Sequence, residues 1–488
     1  MSAAPGFVIE AAASADFARL SGDFNPLHVD DLAARRLQFG GTVCHGVHLV
    51  LRSIEHIAAS GALAGHSVAA VSAVFHQPVR TGVPVRLGVV ADAAGLRFRI
   101  TGTVDGRTQF SAQLQVAEGC GDRVDVPESK PETDTGAQTP SFPADPSAQH
   151  AMAGTVALRL NLTLLTGLFP ALARWSDGPA LAADLMATTH IVGMRCPGLH
   201  SIYSEFKLMR RGTPLGQPAM AFEVSKADAR FQKVRIVVQG ALMTGMLEAF
   251  FRAPPVAQRS LAEVAALTAA GCLAGQKALV VGGSRGLGEL AAKMLLAGGA
   301  DVTLSYARGR ADAERIVAEA QAAGARANTL CLDTSQPLAA DTASALAAAG
   351  YTHVYYFATP SIAKSPPGSW NPDLYERYTR IYVTGFAAVV HAATQAHVAT
   401  PLKALYPSTV FLDKAEKGFA EYCCAKAAGE TLCDHLTQDG RVQVQHPRLP
   451  RMKTDQNSSF LGPEADDPWP VLAATLAQFC GYRAATPA

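Results

Sequence analysis

Three polar side chains near the N-terminus lie close enough in sequence to act on one substrate atom. Asp23, Asn25 and His28 fall within a Gly-Asp-Phe-Asn-Pro-Leu-His run, in which Gly22 and Pro26 favour a turn over a regular helix. A carboxylate and an imidazole that share a water can take a proton from it and return one to a neighbouring carbon. The spacing therefore predicts an acid–base site, with an Asx-turn that caps a helix as the alternative.

A second candidate element begins at Gly46. The sequence Cys-His-Gly-Val opens an apolar stretch with helical spacing. Backbone amides in the first turn of a helix have no partner within the helix, so they can stabilise a developing oxyanion such as a thioester enolate. The Gly46 amide is therefore a candidate for binding a carbonyl oxygen.

These motifs occur in a recognisable order. The run from Gly22 to His28 precedes an Ala-Ala pair, then His45-Gly46, then an F-x-x-P-V-x-x-G pattern from Phe75 to Gly82. The ordered set resembles the MaoC-like, (R)-specific enoyl-thioester hydratase/dehydratase family of the hot-dog fold. The resemblance implies that Asp23 and His28 are the catalytic pair, that Asn25 supports them, and that the Gly46 amide lies near the thioester carbonyl.

The chain from residue 151 repeats the plan of the first 117 residues. Each segment begins with helical apolar spacing and ends with long alternating runs, which predicts one helix wrapped by an antiparallel sheet. Two such copies would bury one another and form an α+β double hot-dog. The second copy contains His190 and His200 but no D-x-N-x-x-H, so we expect a non-catalytic repeat that shapes an acyl tunnel.

The last part of the chain changes character. Short apolar strands alternate with helical stretches, which predicts a doubly wound, parallel α/β sheet of the Rossmann type. Between the first strand and helix lies a G-x-x-x-G-x-G loop whose amides could approach a pyrophosphate. The candidate cofactor-binding residues of this loop are Gly282, Ser284, Arg285, Gly286, Leu287 and Gly288.

Further downstream, Tyr422 and Lys426 are four residues apart and share a helix face. A nearby ammonium would lower the pKa of the phenol from its usual value of about 10, and the tyrosine could donate a proton to a carbonyl. Ser408 ends a plausible strand and could hold the substrate oxygen, with Thr409 as the alternate.

The glycine loop, Ser408 and the Tyr422/Lys426 pair together resemble the short-chain dehydrogenase/reductase family. The resemblance implies that Tyr422 is the acid, that Lys426 lowers its pKa and binds ribose, and that Ser408 orients the substrate. It also places Asp333 at the adenine and Thr454 at the nicotinamide amide. The second strand has no acid at its end, and Arg308 could pair with a 2′-phosphate, so NADPH is favoured over NADH.

Three positions depart from the pattern of that family. Its N-N-A-G motif reads Phe357-Ala358-Thr359-Pro360, its helix Asn is Tyr382, and its P-G reads Pro447-Arg448. A reductase-like domain that binds nucleotide or a partner without turnover is therefore an alternative to an active reductase.

Composition sets the boundaries and the exclusions. A Pro-, Asp-, Glu-, Ser- and Thr-rich stretch predicts a linker at 118–150, between hot-dog repeats at 1–117 and 151–255. A connecting helix is expected at 256–274 and the reductase-like domain at 275–488. Forty-two Lys and Arg residues against 41 Asp and Glu leave no basic excess for nucleic acid, and nine scattered cysteines suggest no metal site. The absence of a signal peptide or membrane span favours a cytoplasmic protein.

These expectations combine into one hypothesis. Reduction of a 3-oxoacyl thioester gives a 3-hydroxyacyl thioester, which a dehydratase converts to an enoyl thioester. We expect a bifunctional dehydratase/ketoreductase of fatty-acid or polyketide-like synthesis, acting on acyl-CoA or acyl-carrier-protein thioesters, with a homodimer expected by analogy. The alternatives are an enoyl-CoA hydratase/3-hydroxyacyl-CoA dehydrogenase of β-oxidation that uses NAD, or a hydratase with a non-catalytic nucleotide-binding domain.

Overall fold

The computed structural model describes residues 6–37, 39–119, 124–130, 152–212, 218–252, 254–366, 368–395, 400–454 and 465–485. The chain divides into two compact units, Met1–Pro254 and Pro255–Ala488. None of the helices in the described part of the chain is both long and apolar enough to cross a bilayer.

The N-terminal unit consists of two halves with the same order of elements. The first half contains β1 (Gly6–Phe7), α1 (Ala11–Ser21), α2 (Pro26–Val29), α3 (Asp31–Arg35), α4 (Gly46–Ala59), β2 (His66–Phe75), β3 (Val85–Ala91), β4 (Arg97–Val104) and β5 (Arg107–Glu118). The second half contains β6 (Ala153–Ala157), α5 (Leu162–Leu168), α6 (Pro170–Arg174), α7 (Gly178–His190), a π-helical turn (Ile191–Arg195), β7 (Ser201–Arg210), β8 (Ala219–Asp228), β9 (Lys233–Gln239) and β10 (Met243–Phe251).

All strands of this unit belong to one ten-stranded sheet, in the order β1-β3-β4-β5-β2-β7-β10-β9-β8-β6. Read from either edge towards the centre, the strands follow the same sequence of connections, and the antiparallel pair β2–β7 joins the halves. Burial alternates along the strands, as in β9, where Val234, Ile236 and Val238 are buried and Arg235 is exposed. The alternating sequence pattern thus builds one sheet from two equivalent halves.

The long helix of each half packs in the interior. Helix α4 buries an apolar face that includes Leu51 and Ile54, whereas α7 is buried on nearly all sides. Residues of both halves form one continuous hydrophobic core. The two halves therefore bury one another, as a shared apolar core requires.

Most of the predicted linker, residues 120–123 and 131–150, lies outside the described residues. Its described part reaches the second half at Ser129, whose amide donates to Leu160 O (2.7 Å) and whose hydroxyl accepts from Leu160 N (3.0 Å). The described part of the linker is thus hydrogen-bonded to the chain just before the start of α5.

The C-terminal unit contains a six-stranded parallel sheet, which confirms the predicted parallel α/β arrangement. Its elements are α8 (Leu261–Ala266), β11 (Lys277–Val281), α9 (Gly286–Ala297), β12 (Asp301–Tyr306), α10 (Arg310–Ala322), β13 (Ala327–Cys331), α11 (Ala340–Ala349), β14 (His353–Tyr356), α12 (Pro372–Thr379), a π-helical turn (Arg380–Gly385), α13 (Phe386–Thr394), β15 (Leu402–Leu405), β16 (Ser408–Thr409), a 3-10 turn (Val410–Leu412), α14 (Ala420–Leu436), β17 (Val442–Gln445), β18 (Arg448–Leu449) and α15 (Pro468–Cys480). The strand order β13-β12-β11-β14-β15-β17 reverses between β11 and β14, where ligands of such sheets bind.

Helix α8 is shorter than the connecting segment predicted at 256–274. Ser260 and Glu263 form a capping box at its start, as the sequence would favour. The helix ends before Leu267 because Thr268 forms a β-bridge with Ala484 and its hydroxyl lies 2.8 Å from that of Tyr482. A tertiary contact from the far end of the chain therefore stops the helix.

Candidate functional site

The turn between α1 and α2 brings the first polar cluster together. Gly22 ends α1 with a left-handed conformation (φ 73°) that suits glycine. Asp23 and Asn25 are each only 1% exposed, and the backbone N–H of Asn25 donates to Asp23 Oδ1 (3.2 Å). Asn25 Oδ1 accepts from Leu27 N (3.1 Å) and caps α2, so the Asx-turn alternative is present together with the polar cluster.

His28 is oriented by its backbone acceptor. Its Nδ1 lies 2.8 Å from Val43 O, and because a carbonyl oxygen only accepts, Nδ1 carries the hydrogen and Nε2 is left as a base. The His28 ring stacks on His45 at 3.8 Å between centroids. His45 Nε2 in turn donates to Asp23 O (3.0 Å) and lies 3.8 Å from Asp23 Oδ2.

Ligand-type atoms of Asp23, His28 and His45 all lie within 4.8 Å of one another. The structure thus brings Asp23 and His28 to one point, as the sequence predicted. His45, which the sequence placed only beside Gly46, joins them. Three side chains of this kind could also surround a cation, although His45 Nε2 directs its hydrogen to a backbone oxygen here.

Burial keeps these imidazoles neutral. Desolvation lowers the pKa of His28, with a smaller lowering by Arg252, and outweighs the raising effects of Asp23 and of the bond to Val43. Burial also holds the pKa of His45 well below its usual value, and the neighbouring His28 adds to this effect. A neutral His28 can accept a proton at Nε2.

The second half of the unit holds this cluster in place. The Thr189 hydroxyl donates to Asp23 Oδ2 (2.7 Å), and His190 Nδ1 donates to Gly22 O (2.8 Å). Asn25 Nδ2 donates to Gly193 O (3.0 Å). No sequence motif predicts these contacts, and from the sequence the second half is expected only to shape an acyl tunnel.

Two further features of the second half lie against the same loop. A Cβ on Gly193 would overlap the Asp23 carboxylate, so only glycine fits at this point of the π-helical turn. Arg252, 4% exposed, donates from Nη2 to Leu199 O (2.7 Å), which also accepts from Asn25 Nδ2 (3.2 Å). Burial lowers the pKa of Arg252 to about 10, which leaves the guanidinium charged at neutral pH.

Gly46 begins α4 as the sequence predicted, so its amide belongs to the first turn, where intrahelical acceptors are missing. A Cβ at this position would lie 2.7 Å from the Phe75 ring. The two motifs that carried the family resemblance, His45-Gly46 and the pattern starting at Phe75, therefore pack directly on one another.

In the C-terminal unit, the glycine loop lies at the reversal point of the sheet. Gly282 has φ 76°, and a Cβ there would lie 2.8 Å from the backbone of Ala358, which follows β14. Ser305 at the end of β12 secures the loop, since its hydroxyl accepts from Gly282 N (3.0 Å) and its carbonyl from Gly283 N (3.0 Å). A Cβ on Gly288 would overlap Gly282 O, so the helix start can approach the strand only with glycine.

The other predicted cofactor residues surround the same edge of the sheet. Gly286 opens α9 with φ 58°, Arg285 precedes it in an extended conformation, and Ser284 is buried. Leu287 packs at the edge of the core, and Arg308 is exposed just after β12. Asp333, after β13, is exposed and accepts from the amide (2.9 Å) and hydroxyl (2.7 Å) of Ser335, whereas Thr454 is buried near the end of a described segment.

Tyr422 and Lys426 lie on α14, and both are buried. Lys426 Nζ donates to Pro407 O (2.7 Å) and lies over the rings of Tyr382 (4.1 Å) and Tyr406 (4.6 Å). The expected lowering of the Tyr422 pKa is wrong for this structure: burial raises it to about 12. The same desolvation lowers the pKa of Lys426 to about 7, which weakens the ammonium that was expected to stabilise a phenolate.

Ser408 and Thr409 point to different partners. The Ser408 hydroxyl donates to Glu430 Oε1 (2.5 Å), a carboxylate that also binds Arg448. Thr409 instead lies beside the Tyr422 hydroxyl, where its side chain opposes part of the rise that burial causes in the pKa of the phenol. Successive residues of a strand face opposite sides, so only one of them can face Tyr422. The structure brings the alternate, Thr409, to the tyrosine, and not Ser408.

Two of the three departures from the family pattern contact one another. The hydroxyls of Thr359, after β14, and Tyr382, in the π-helical turn Arg380–Gly385, lie 2.6 Å apart. The Tyr382 ring is 5.8 Å from that of Tyr422. Two residues that depart from the family pattern, Thr359 and Tyr382, thus contact one another close to Tyr422.

Comparisons with known proteins match part of each unit to a family model. Residues 3–108 match the family model of the MaoC-like domain, and residues 276–458 match that of the short chain dehydrogenases. A curated relative, a short chain dehydrogenase/reductase (AacuN) of Aspergillus aculeatus, is 45% identical over 65 residues, which are 13% of this chain and 25% of that protein. The chain thus spans about a quarter of that relative.

Among solved structures, a short chain dehydrogenase from Burkholderia cenocepacia in complex with NADP is 22% identical, with a TM-score of 0.39 over 43% of this chain and 92% of that one. The angucycline C-6 ketoreductase LanV with bound NADP is 20% identical, with a TM-score of 0.39 over 44% of this chain and 92% of that one. From the family models, the chain carries a MaoC-like domain at residues 3–108 and a short-chain dehydrogenase domain at residues 276–458.

Proposed function

We propose that this chain is a bifunctional dehydratase/ketoreductase of 3-oxoacyl and 3-hydroxyacyl thioesters, bound to CoA or to a carrier protein, in fatty-acid or polyketide-like synthesis. The observation that carries the proposal is the presence of two separate groups of side chains that can exchange protons: the Asp23/His28 pair, and Tyr422 with Thr409 beside it. Reduction of the ketone produces the alcohol that dehydration consumes. The two reactions would therefore follow one another on one substrate.

For the N-terminal unit, we propose a double hot-dog with one site. The strand order that repeats from each edge and the two enclosed helices support it. In the hydration direction, His28 Nε2 and the Asp23 carboxylate hold the water, take its proton and return one to the neighbouring carbon. The Gly46 amide, at the start of α4, stabilises the charge that develops on the thioester oxygen.

For the C-terminal unit, the residues present fit a dinucleotide. At Gly282 and Gly288 a Cβ would collide with neighbouring backbone, so glycine allows the loop to turn tightly into α9, whose N-terminal amides would face a pyrophosphate bound at this loop. NADPH, when bound, supplies hydride. Arg308 follows a second strand that ends without an acid, which supports NADPH over NADH.

The protein's own residues would supply the proton in that reduction. Because burial holds the Tyr422 pKa near 12, its phenol is protonated at neutral pH and can donate to the forming alkoxide. Thr409 would orient the hydroxyl, and Lys426 is the residue that we propose to contact the ribose. Because the pKa of Lys426 is about 7, an anionic cofactor bound nearby would favour the charged form of its amino group.

The direct test is an assay with NADPH and 3-oxoacyl thioesters of several chain lengths, on CoA and on a carrier protein, read by mass spectrometry. We expect oxidation of NADPH together with 3-hydroxyacyl and enoyl products. A protein that shows neither product at any chain length on either carrier is not this enzyme. Much faster turnover of 3-hydroxyacyl-CoA with NAD would instead support the oxidative direction.

The lowered pKa of His28 predicts a flat pH profile for hydration. Between pH 7.5 and 5.5, an imidazole with the ordinary pKa of about 6.5 loses about tenfold of its neutral form. Since burial lowers the pKa of His28, the neutral base persists to lower pH, and kcat/KM should fall by clearly less than tenfold. Initial rates with an enoyl thioester at half-unit intervals measure this.

The pH profile needs a control for unfolding of the protein at low pH. Below pH 6.5 the unfolded chain binds a proton at His28 more readily than the folded chain does, so stability decreases as the pH falls. Circular dichroism at each pH separates unfolding from loss of the base. A tenfold fall in rate while the fold is intact contradicts the prediction.

The positions of Ser408 and Thr409 give a second prediction. Thr409→Val removes the hydroxyl that contacts Tyr422, and we expect ketone reduction to fall by about 10–100-fold in kcat. Ser408→Ala, the matched control, breaks only the bond to Glu430 and should stay within about threefold of the wild type. NADPH-oxidation kinetics compare the two variants, and the opposite ranking would restore Ser408 as the orienting residue.

A further inference from the structure

Thr189 links the two halves of the N-terminal unit at the carboxylate of Asp23. It lies in the last turn of α7 and is 4% exposed. Its hydroxyl donates to Asp23 Oδ2 at 2.7 Å, across 166 residues of sequence. Neither the sequence motifs nor the family model at residues 3–108 reaches this residue.

The Asp23 carboxylate is fixed from three sides. Asn25 N donates to Oδ1 (3.2 Å), Thr189 donates to Oδ2, and the carboxylate occupies the space that a Cβ on Gly193 would fill. Without the Thr189 hydroxyl, none of the hydrogen bonds that the described residues make to Oδ2 would remain, and His45 Nε2 approaches this oxygen only to 3.8 Å. That separation is too long for a hydrogen bond.

We infer that Thr189 is a positioning residue for the dehydratase reaction, and that the second half of the unit thereby sets the geometry of the catalytic carboxylate in the first half. The inference rests on the proposed function of the Asp23/His28 site. A carboxylate free to turn about its Cβ–Cγ bond would lose its alignment with the substrate, and a displacement of about 1 Å can cost about 100-fold in rate.

The residue next to Thr189 provides a matched control. Thr188 is also buried on α7, but its hydroxyl donates to Leu185 O of its own helix (2.7 Å). Replacing either threonine by valine keeps size and branching and removes one buried hydroxyl. Only the change at 189 removes a contact to Asp23.

The experiment measures enoyl-thioester hydration by the full-length wild type, Thr189→Val, Thr189→Ser, Thr188→Val and Asp23→Asn. We expect Thr189→Val to lower kcat by about 10–100-fold with KM within about threefold. Thr189→Ser should restore most of the rate, and Thr188→Val should match the wild type.

The outcomes separate this inference from the proposed function. If the wild type hydrates enoyl thioesters and Thr189→Val matches Thr188→Val in kcat, the inference is overturned. Equal loss in the valine and serine variants, with lowered melting temperatures for both, would point to a structural role and overturn it as well. If the wild type itself is inactive, or Asp23→Asn is fully active, the proposed function fails first.

Discussion

Replacing Asp23 by Asn should lower kcat/KM for enoyl-thioester hydration by about 10²–10⁴-fold, the usual contribution of a positioned acid or base. The amide keeps the shape of the carboxylate: its Oδ1 can accept from Asn25 N and its Nδ2 can donate to the Thr189 hydroxyl, so the loop should hold its conformation. The reaction loses the group that exchanges the proton. Initial rates measured by mass spectrometry, with NADPH-dependent ketone reduction as an internal reference, test this.

His28→Ala should have an effect of the same order, because it removes the base at Nε2 that the Nδ1 bond to Val43 exposes. His76→Ala is the matched control: His76 is exposed, and its Nε2 lies 3.0 Å from the Ser111 hydroxyl on the sheet. The control should keep the wild-type rate. Normal hydration by both Asp23→Asn and His28→Ala would remove the site from this turn.

Tyr422→Phe should lower the rate of ketone reduction by about 10²–10⁴-fold and leave NADPH affinity within about threefold. The phenol is the proton donor in the proposed reaction, and its removal leaves Lys426 bonded to Pro407 O and in contact with the rings of Tyr382 and Tyr406. NADPH oxidation gives the rate, and quenching of protein fluorescence by NADPH gives the affinity. Hydration at the N-terminal site should be unchanged.

Tyr375→Phe provides the control for that substitution. Tyr375 lies on α12 and packs against Trp370 (4.9 Å between ring centroids), so the change removes a tyrosine hydroxyl elsewhere in the same unit. It should leave reduction unchanged. If the wild type binds NADPH but reduces no ketone, and Tyr422→Phe behaves identically, the domain is a nucleotide-binding scaffold, as the paired departures at Thr359 and Tyr382 would then explain.

The N-terminal cluster could be predicted from sequence because its members are neighbours in the chain. Asp23, Asn25 and His28 occupy one turn, and glycine and proline signals define that turn locally. Thr189 and Gly193 could not be predicted in this way, since their partners lie far away in sequence and threonine in a helix is an ordinary residue. The glycine within the apolar helical run at 193 was the only local signal of a close approach.

For the C-terminal site, the sequence could predict the fold and the glycine loop but not which side chains meet Tyr422. Strand-helix alternation predicted the parallel sheet, and the glycine spacing predicted the loop at its reversal point. The choice between Ser408 and Thr409 depends on which face of a two-residue strand meets α14, and that requires the register with β18. The Tyr422 pKa depends on burial, which residue spacing does not measure.

The mirrored order of the ten strands is the arrangement that tandem duplication of one five-stranded fold produces. After such a duplication, the copy that lacks the Asp-Asn-His turn need not keep catalytic residues, but it remains paired with the other copy through strands β2 and β7. Its residues are then constrained by the partner they support, through Thr189, His190 and Gly193. An excised fragment ending at residue 108 would cut β5 near its start and leave the acidic turn without its scaffold. The smallest fragment expected to fold with the Asp23/His28 site intact is therefore the whole of the N-terminal unit.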